Sequence, residues 1–274
     1  MPREPTLITS LQNDRVKLIR SLDMRKARRE TGLFVAEGAS LLVTARDNGH
    51  VPRILVTQAW SEHGDIGLAL IDWALEAGSE VLAASPVVLQ KLAAKDNPQA
   101  MMGVFEQRWD TARLAGGNSP GAQEDVWLAV EEVRDPGNLG TMLRTVEAVG
   151  AKGVILVGQC CDPYSHECVR ATMGSIFAVP LVRMDRTAFI EFAKTWPGDV
   201  VGTHLEAAED FRLAKPRGPI LLVMGSEGPG MSEEVRAACS TLVKIPMSGT
   251  LDSLNLAIAT ALTLYQLRGA QLHV

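Results

Sequence analysis

The sequence predicts an α/β protein whose carboxy-terminal half contains a parallel β-sheet covered by helices. After residue 125, short continuous apolar runs alternate with segments of helical periodicity, which is typical of parallel strands buried on both faces. Residues 115–125 lack periodicity and are rich in Gly, Ser and Pro, which is the composition of a linker. We therefore expect two domains, at residues 1–107 and 126–274, joined by a linker at 108–125.

The elements of the smaller amino-terminal domain follow from the spacing of its apolar residues. Residues 14–29 carry apolar side chains at helical intervals and predict one basic helix. Beyond this helix, short apolar runs again alternate with helical segments, which predicts a small α/β unit. The expected strands are Phe34–Ala36, Arg53–Thr57, Glu80–Ala83 and Gly103–Glu106, and the expected helices are Ala39–Asn48, Ile66–Ala77 and Pro86–Lys95.

In the carboxy-terminal domain, each apolar run is followed by a helical segment. Loops that follow parallel strands meet at the carboxyl edge of the sheet, where open α/β folds place their ligands. We therefore expect the functional residues in these loops. The expected strands are Val126–Val130, Gly153–Val157, Val200–Thr203, Ile220–Met224 and Leu242–Ile245, with helices that begin near Leu139, His166, Thr187, Ser232 and Leu254.

Composition argues against several classes of protein. The chain has 274 residues, 46% of them apolar. Its longest apolar run, 254–264, is interrupted by polar residues and is too short for a membrane span. No apolar stretch of signal-peptide length follows the amino terminus, and the four cysteines lack the Cys/His spacing of a zinc site. We expect a cytoplasmic protein with reduced thiols and no metal ion.

The charge of the chain is unevenly distributed. The formal net charge is −5, but residues 1–30 contain eight basic and four acidic side chains. Phosphate contact requires such a local excess of Lys and Arg, so the first helix is a candidate RNA-binding surface. The alternative is an ordinary solvated helix face.

Two of the loops after apolar strands contain polar residues before a helix. In the first, Pro136 and Gly137 predict a turn, Asn138 is placed to cap the next helix, and Arg144 follows six residues later. In the other, Ser253 and Asn255 are residues that commonly cap helices. Taken singly, these residues could be caps and a surface cation only.

Between them lies a glycine-rich loop, in which the apolar run 220–224 leads into Gly225, Gly228 and Gly230. Glycines allow a backbone to approach a ligand closely or to turn sharply. Glu227 lies among them and is therefore open to a ligand or to another loop. The chain contains neither the dinucleotide-binding G-x-G-x-x-G nor the phosphate-binding G-x-x-x-x-G-K pattern, which argues against ordinary nicotinamide enzymes and NTPases.

Together these loops resemble the three motifs of the SpoU/TrmH RNA ribose 2′-O-methyltransferases of the SPOUT superfamily. The amino-terminal segment Phe34-Val-Ala-Glu-Gly38, followed by a helix, is similar to the RNA substrate-binding domain that many members carry. That domain is itself similar to small ribosomal RNA-binding proteins. The first matching motif is Asn138-Leu-Gly-(x)3-Arg144-Thr, the second is Gly225-Ser-Glu-Gly-Pro-Gly, and the third comprises Ile245-Pro-Met and Ser253-Leu-Asn255.

The resemblance implies a trefoil-knotted carboxy-terminal domain, a homodimer, S-adenosylmethionine as cofactor and RNA as substrate. No pattern of periodicity predicts a knot, because knots are nearly absent from proteins. The cofactor would bind around Thr203, His204, Gly225, Ser226, Glu227, Gly228, Ile245, Met247, Leu254 and Asn255.

The resemblance also implies catalytic residues. Arg144 would activate the ribose hydroxyl, and we favour electrostatic stabilisation of the developing alkoxide because an arginine is a poor proton acceptor. Asn138 would orient Arg144 or the ribose, Glu227 would position Arg144 or another polar group, and Ser253 and Asn255 would complete the pocket. The expected RNA contacts are Arg15, Lys17, Arg25, Arg28 and Arg170.

Other functions remain open at the level of sequence. The two-domain layout favours ribosomal RNA over transfer RNA as substrate by analogy only. A noncatalytic RNA-binding or ribosome-assembly factor with the same fold is a further alternative.

Overall fold

The computed structural model describes residues 4–59, 63–93, 99–110, 125–249 and 253–272. The chain forms two compact units. The first contains residues 1–107 together with 162–178, and the second contains residues 108–161 and 179–274. Most of the expected linker, 111–124, and the expected helix end at Lys95 lie outside the described residues.

The first unit is built on a mixed five-stranded sheet, in the order β1-β4-β3-β5-β2. β1, β4 and β3 are parallel, whereas β5 is antiparallel to both β3 and β2. Strand β1 was not expected, because it is only three residues long. The strands are β1 (Thr6–Ile8), β2 (Leu33–Glu37), β3 (Ile54–Gln58), β4 (Glu80–Ala84) and β5 (Met101–Glu106).

Helices cover this sheet, and Val16, Ile19, Val88 and Leu89 bury their side chains in its core. The core forms because apolar residues recur on one face of each helix, and their burial removes apolar surface from water. The helices of the first unit are α1 (Asp14–Ser21), α2 (Arg25–Thr31), α3 (Ala39–Asp47), α4 (Gly64–Glu76), α5 (Pro86–Leu92) and, in the later segment, α7 (His166–Ala171).

The prediction of one helix over residues 14–29 is wrong, since a turn at 22–24 separates α1 from α2. In a continuous helix the carbonyls of Leu22 and Asp23 would accept from residues four positions later. Here the guanidinium of Arg28 donates to both carbonyls, at 2.7 and 2.9 Å. The broken helix therefore depends on one buried arginine.

The segment Asp162–Ala178 belongs to the first unit although it follows strands of the second in sequence. Phe177 contacts Phe105 with ring centroids 4.8 Å apart, and Tyr164 contacts Phe34 at 4.7 Å. Asp162 accepts from Arg28 Nε at 2.8 Å. The amino-terminal fold is therefore completed by residues from beyond the boundary that the sequence suggests.

The second unit contains a fully parallel seven-stranded sheet, in the order β10-β12-β9-β11-β6-β7-β8. The parallel sheet is as expected, but β8 and β10 were not. β10 is a two-residue edge strand with no apolar side chain. The strands are β6 (Val126–Glu131), β7 (Val154–Val157), β8 (Leu181–Met184), β9 (Val200–Thr203), β10 (Glu209–Asp210), β11 (Ile220–Met224) and β12 (Thr241–Lys244).

The helices of the second unit are α6 (Pro136–Ala148), α8 (Arg186–Lys194), α9 (Glu233–Ala237) and α10 (Leu256–Arg268). The expected cap of α6 is wrong, and of the two candidates for α10 one is confirmed. Asp135, and not Asn138, caps α6 by accepting from the Asn138 N–H at 2.6 Å, and Asn255, and not Ser253, caps α10. Within the described ranges, no helix is long and apolar enough to cross a membrane, and no group of His, Cys, Asp and Glu could hold a metal ion.

Candidate active site

A cavity of about 420 Å³ opens in the second unit where three neighbouring strands end. Thr203 ends β9, Met224 ends β11 and Lys244 ends β12. A cleft at the carboxyl ends of parallel strands is the usual ligand site of open α/β folds. The cavity is lined by Asn138, Thr203, His204, Leu205, Met224, Gly225, Ser226, Glu227, Gly228, Gly230, Lys244, Ile245, Met247, Ser253, Leu254, Asn255, Leu256 and Ala259.

The glycine-rich loop forms one wall of the cavity as a tight turn. Ser226 and Gly230 donate backbone hydrogen bonds to each other's carbonyls, at 3.1 and 3.2 Å. A Cβ atom on Gly225 would lie 2.2 Å from the backbone of Gly230 and Met231. Gly228 has a φ of +95°, which favours glycine. The turn can therefore form only with glycine at its first position.

Three loops meet through a chain of side-chain hydrogen bonds. The Oδ1 of Asn255 accepts from the N–H groups of residues 257 and 258 at the start of α10, at 2.9 and 3.2 Å. Its Nδ2 donates to Asn138 Oδ1 at 2.9 Å, and Asn138 Nδ2 donates to Glu227 Oε1 at 3.0 Å. Because the helix end supplies donors and an ionised carboxylate only accepts, the direction of both amides is determined. Each amide keeps one N–H for a ligand.

Glu227 is held in its ionised form. Burial raises the pKa of its carboxyl, but hydrogen bonds from Asn138 and from the backbone N–H groups of Arg134, Glu227 and Asp135 lower the pKa below its usual value. The Arg134 N–H donates to Oε2 at 3.1 Å. At neutral pH the Glu227 carboxylate therefore links its own loop to Arg134 and Asn138 by hydrogen bonds and is a poor proton acceptor.

The structure places every expected cofactor residue on the cavity wall, and it also places Asn138 and Ser253 there. Sequence patterns alone missed Leu205, Met224 and Lys244, which line the cavity. Met224 and Lys244 are the last residues of β11 and β12, so the ends of the strands could have revealed them.

Arg144 does not line this cavity. It lies on the exposed side of α6, six residues after Asn138, which is a rotation of about 240° around the helix axis. Within the described residues, no hydrogen bond joins Arg144 to Asn138 or Glu227. Glu227 instead positions Asn138, which is the second option that the sequence left open.

The expected RNA contacts lie in the first unit, and most of them are exposed. Arg15 pairs with Glu80 at 2.8 Å and Lys17 with Asp14 at 3.3 Å, both on the surface. Arg25 and Arg170 are exposed. The prediction for Arg28 is wrong, because its side chain is only 5% exposed and its guanidinium bonds to Asp162 and two carbonyls.

Comparison with known proteins identifies the family. The SpoU rRNA methylase family matches residues 125–265, which include all three loops. The chain belongs to the SpoU rRNA methylase family. An MRM3-like substrate-binding domain matches residues 13–103, so the amino-terminal resemblance is confirmed as well.

Two relatives and one solved structure match most or nearly all of the chain. A 23S rRNA (guanosine(2553)-2′-O)-methyltransferase of Bacillus subtilis is 29% identical, over 96% of this chain and 99% of its own. A 23S rRNA (uridine(2479)-2′-O)-methyltransferase of Streptomyces viridochromogenes is 30% identical, over 89% and 85%. The AdoMet-bound rRNA methyltransferase of Sinorhizobium meliloti is 39% identical with a TM-score of 0.87, over 98% and 99%.

The cavity of this SpoU protein fits S-adenosylmethionine. Its volume lies in the range of small-molecule sites, and its wall includes residues of the loops after β9, β11 and β12, namely Thr203, His204, Leu205, Gly225, Ser226, Glu227, Gly228, Ile245 and Met247. Backbone donors and acceptors suit an adenine ring because they are rigid and already oriented. Because a Cβ at Gly225 would clash with the backbone of Gly230 and Met231, this close approach at the cavity wall requires glycine.

Proposed function

We propose that this protein transfers a methyl group from S-adenosylmethionine to a ribose 2′-hydroxyl of ribosomal RNA. The observation that carries the proposal is the hydrogen-bonded chain Asn255–Asn138–Glu227 on the wall of a cavity of cofactor size. The names of the two 23S rRNA methyltransferases that align along nearly the whole chain support the reaction and the substrate class. A ribosomal RNA substrate would place the enzyme in the cytoplasm.

When bound, the cofactor supplies an electrophilic methyl group. The protein then has to hold the ribose oxygen in line with this group, let the hydroxyl proton pass to water, and stabilise the negative charge that develops on the oxygen as the proton leaves. Asn138 and Asn255 each offer a spare N–H at the cavity wall, and Ser253 offers a hydroxyl group. Glu227 fixes the direction of Asn138 and takes no proton. We therefore expect these side chains of the cavity wall to align the ribose and to donate hydrogen bonds to its oxygen, and not to act as a strong base.

Arg144 is proposed to act at the cavity of a second copy of the chain. Arg144 is exposed and lies away from the cavity of its own chain. This position supports a homodimer in which each active site contains residues of both chains. The exposed apolar side chains of Ile258, Leu262 and Tyr265 lie at helical spacing on α10, which packs against α6. An exposed apolar stripe of this kind favours a protein–protein interface. The guanidinium would stabilise the alkoxide or hold the adjacent phosphate.

The two domains are proposed to have different tasks, and the carboxy-terminal one to be knotted. We expect residues 1–107, whose fold is completed by 162–178, to select the RNA, and we expect the other residues after a linker at 108–125, up to 274, to form the knotted catalytic domain. The last helix, α10, packs closely against α6 and β11. This packing supports a knot in which the end of the chain passes through a loop.

The deciding experiment maps 2′-O-methyl positions in total RNA from cells with and without the gene. We expect one or a few ribosomal RNA positions to lose their methyl group in its absence. Loss at a transfer RNA position instead would move the substrate to that class. Unchanged methylation of all RNA, together with no cofactor binding by calorimetry, would favour the noncatalytic alternative.

A further inference from the structure

Arg134 lies at the rim of the active site, and no role for it follows from the motifs. Its backbone N–H donates to Glu227 Oε2 at 3.1 Å, next to the cavity wall. The preceding residue, Val133, is fully buried, and its carbonyl accepts from the Cys161 N–H at 2.7 Å. The following residue, Asp135, caps α6. The backbone of Arg134 is therefore fixed on both sides.

The side chain of Arg134, by contrast, is exposed and has no hydrogen bond or ion pair within the described ranges. Acidic side chains are close in sequence, but each of them has another partner. Glu131 and Glu132 accept from Arg186 at 2.8 and 2.9 Å, and Asp135 accepts from the Asn138 N–H. Arg134 therefore carries a positive charge on a rigid backbone and lies beside the site where RNA, a polyanion, would bind. It has no partner within the described ranges, so it is suited to bind an anion from outside the protein.

We propose that Arg134 binds a phosphate of the RNA next to the target ribose. This inference rests on the proposed function of the same site. A guanidinium can donate two parallel hydrogen bonds to one phosphate, which fixes orientation as well as charge. Because phosphate contacts position the RNA and carry no sequence information, Arg134 sets the register of the ribose in the site.

The test compares Arg134→Ala and Arg134→Lys with the wild-type protein. The substrate is ribosomal RNA from a strain that lacks the gene. Lys215→Ala is the matched control, since Lys215 is an exposed cation of the same unit that does not line the cavity. RNA affinity is measured by filter binding, and methyl transfer with labelled cofactor, at several salt concentrations. Cofactor affinity is measured by calorimetry.

For Arg134→Ala we expect RNA affinity to fall roughly tenfold or more, as for a lost charge-assisted hydrogen bond. The slope of log affinity against log salt should decrease by roughly 0.7, the value for one phosphate contact with single-stranded RNA. Arg134→Lys should keep the slope and recover part of the affinity. Cofactor affinity should stay within about twofold, because the backbone contact with Glu227 remains.

An unchanged salt slope in Arg134→Ala would overturn the proposal. So would an equal change in Lys215→Ala, since any surface cation would then suffice. A loss of cofactor affinity equal to the loss of RNA affinity would assign Arg134 to the support of the Glu227 loop instead. If the unvaried protein transfers no methyl group, the proposed function fails, whereas the slopes from filter binding still decide the role of Arg134.

Discussion

The side-chain amide of Asn255 donates to the side-chain oxygen of Asn138 across 2.9 Å, although 117 residues separate them in the chain. This bond joins the end of the last loop to the first turn of α6. Since Asn255 also caps α10, the same side chain links the start of two helices. Changes at this pair therefore test whether the loops act as one site.

Asn255→Asp separates the two roles of Asn255, which are to cap α10 and to donate a hydrogen bond to Asn138. A carboxylate can still accept from the N–H groups of α10, but it cannot donate to Asn138 and instead repels its oxygen. We expect methyl transfer to fall roughly tenfold to a hundredfold, while the helix content measured by circular dichroism is kept. Asn255→Ala should additionally lose about 1 kcal/mol of stability through the cap. Full activity of Asn255→Asp would show that the amide chain is dispensable.

The stability contributed by Glu227 should depend on pH. Its pKa is lower in the folded protein than its ordinary value of 4.5, so its contribution is present above that value and disappears as the pH falls through the folded pKa. Urea unfolding of the wild-type protein and of Glu227→Gln should therefore differ at pH 7, and the difference should shrink as the pH falls below 4.5. A difference between the two proteins that is independent of pH would contradict the ionised state of Glu227.

Two alanine substitutions in the glycine-rich loop should differ sharply. In Gly225→Ala, the new Cβ would lie 2.2 Å from backbone atoms, so the loop has to move, and we expect cofactor affinity to fall roughly tenfold or more. In Gly228→Ala, the Cβ meets no atom within 4 Å, and the positive φ should cost only about 1–2 kcal/mol of stability. Calorimetry with S-adenosylmethionine and thermal unfolding measure both effects. Equal losses of cofactor affinity would argue against the close-packed turn.

The three loops could be predicted from sequence because they rest on local features. Glycines and polar residues directly after apolar runs are visible in a single chain, and parallel connections bring such loops to one edge. The position of Arg144 relative to the cavity could not be predicted in this way. It depends on the direction in which a side chain leaves α6, and Asn138 and Arg144 lie on different faces of that helix.

The role of Arg28 shows the limit of local charge patterns. It lies in a run of basic residues, which predicts an exposed cation, yet its partner Asp162 is 134 positions away. The same long-range packing assigns Asp162–Ala178 to the amino-terminal unit. Removing residues 1–107 would expose Tyr164 and Phe177, which pack against Phe34 and Phe105. Point variants are therefore better tests of RNA selection than truncation.

Arg28→Ala should strongly destabilise the protein. It leaves the Asp162 carboxylate, whose side chain is 10% exposed, without its partner, and removal of one member of a buried pair costs about 3–5 kcal/mol. Lys26→Ala is the control, because Lys26 pairs with Glu30 at 3.8 Å on the surface and should change stability by less than about 1 kcal/mol. Urea unfolding measures both. A small effect of Arg28→Ala would restore Arg28 as a candidate for RNA contact.

The proposed sharing of Arg144 between two chains can be tested with mixed dimers. Arg144→Ala keeps an intact cavity, whereas Gly225→Ala keeps Arg144 but has a distorted cavity. If Arg144 serves the partner's cavity, a dimer with one chain of each kind contains one complete site and should have about half of the unvaried activity. If Arg144 serves its own cavity, neither chain of this dimer is complete.

The two chains would be co-expressed with different tags, the mixed dimer isolated on both, and methyl transfer to ribosomal RNA measured. Each homodimer of a variant serves as the inactive control. Leu262→Asp should disrupt the apolar stripe on α10, in which Leu262 is 43% exposed, and should give a monomer by size-exclusion chromatography because a buried unpaired charge is costly. An inactive mixed dimer would place Arg144 in its own chain's site, and an active Leu262→Asp monomer would remove the need for a second chain.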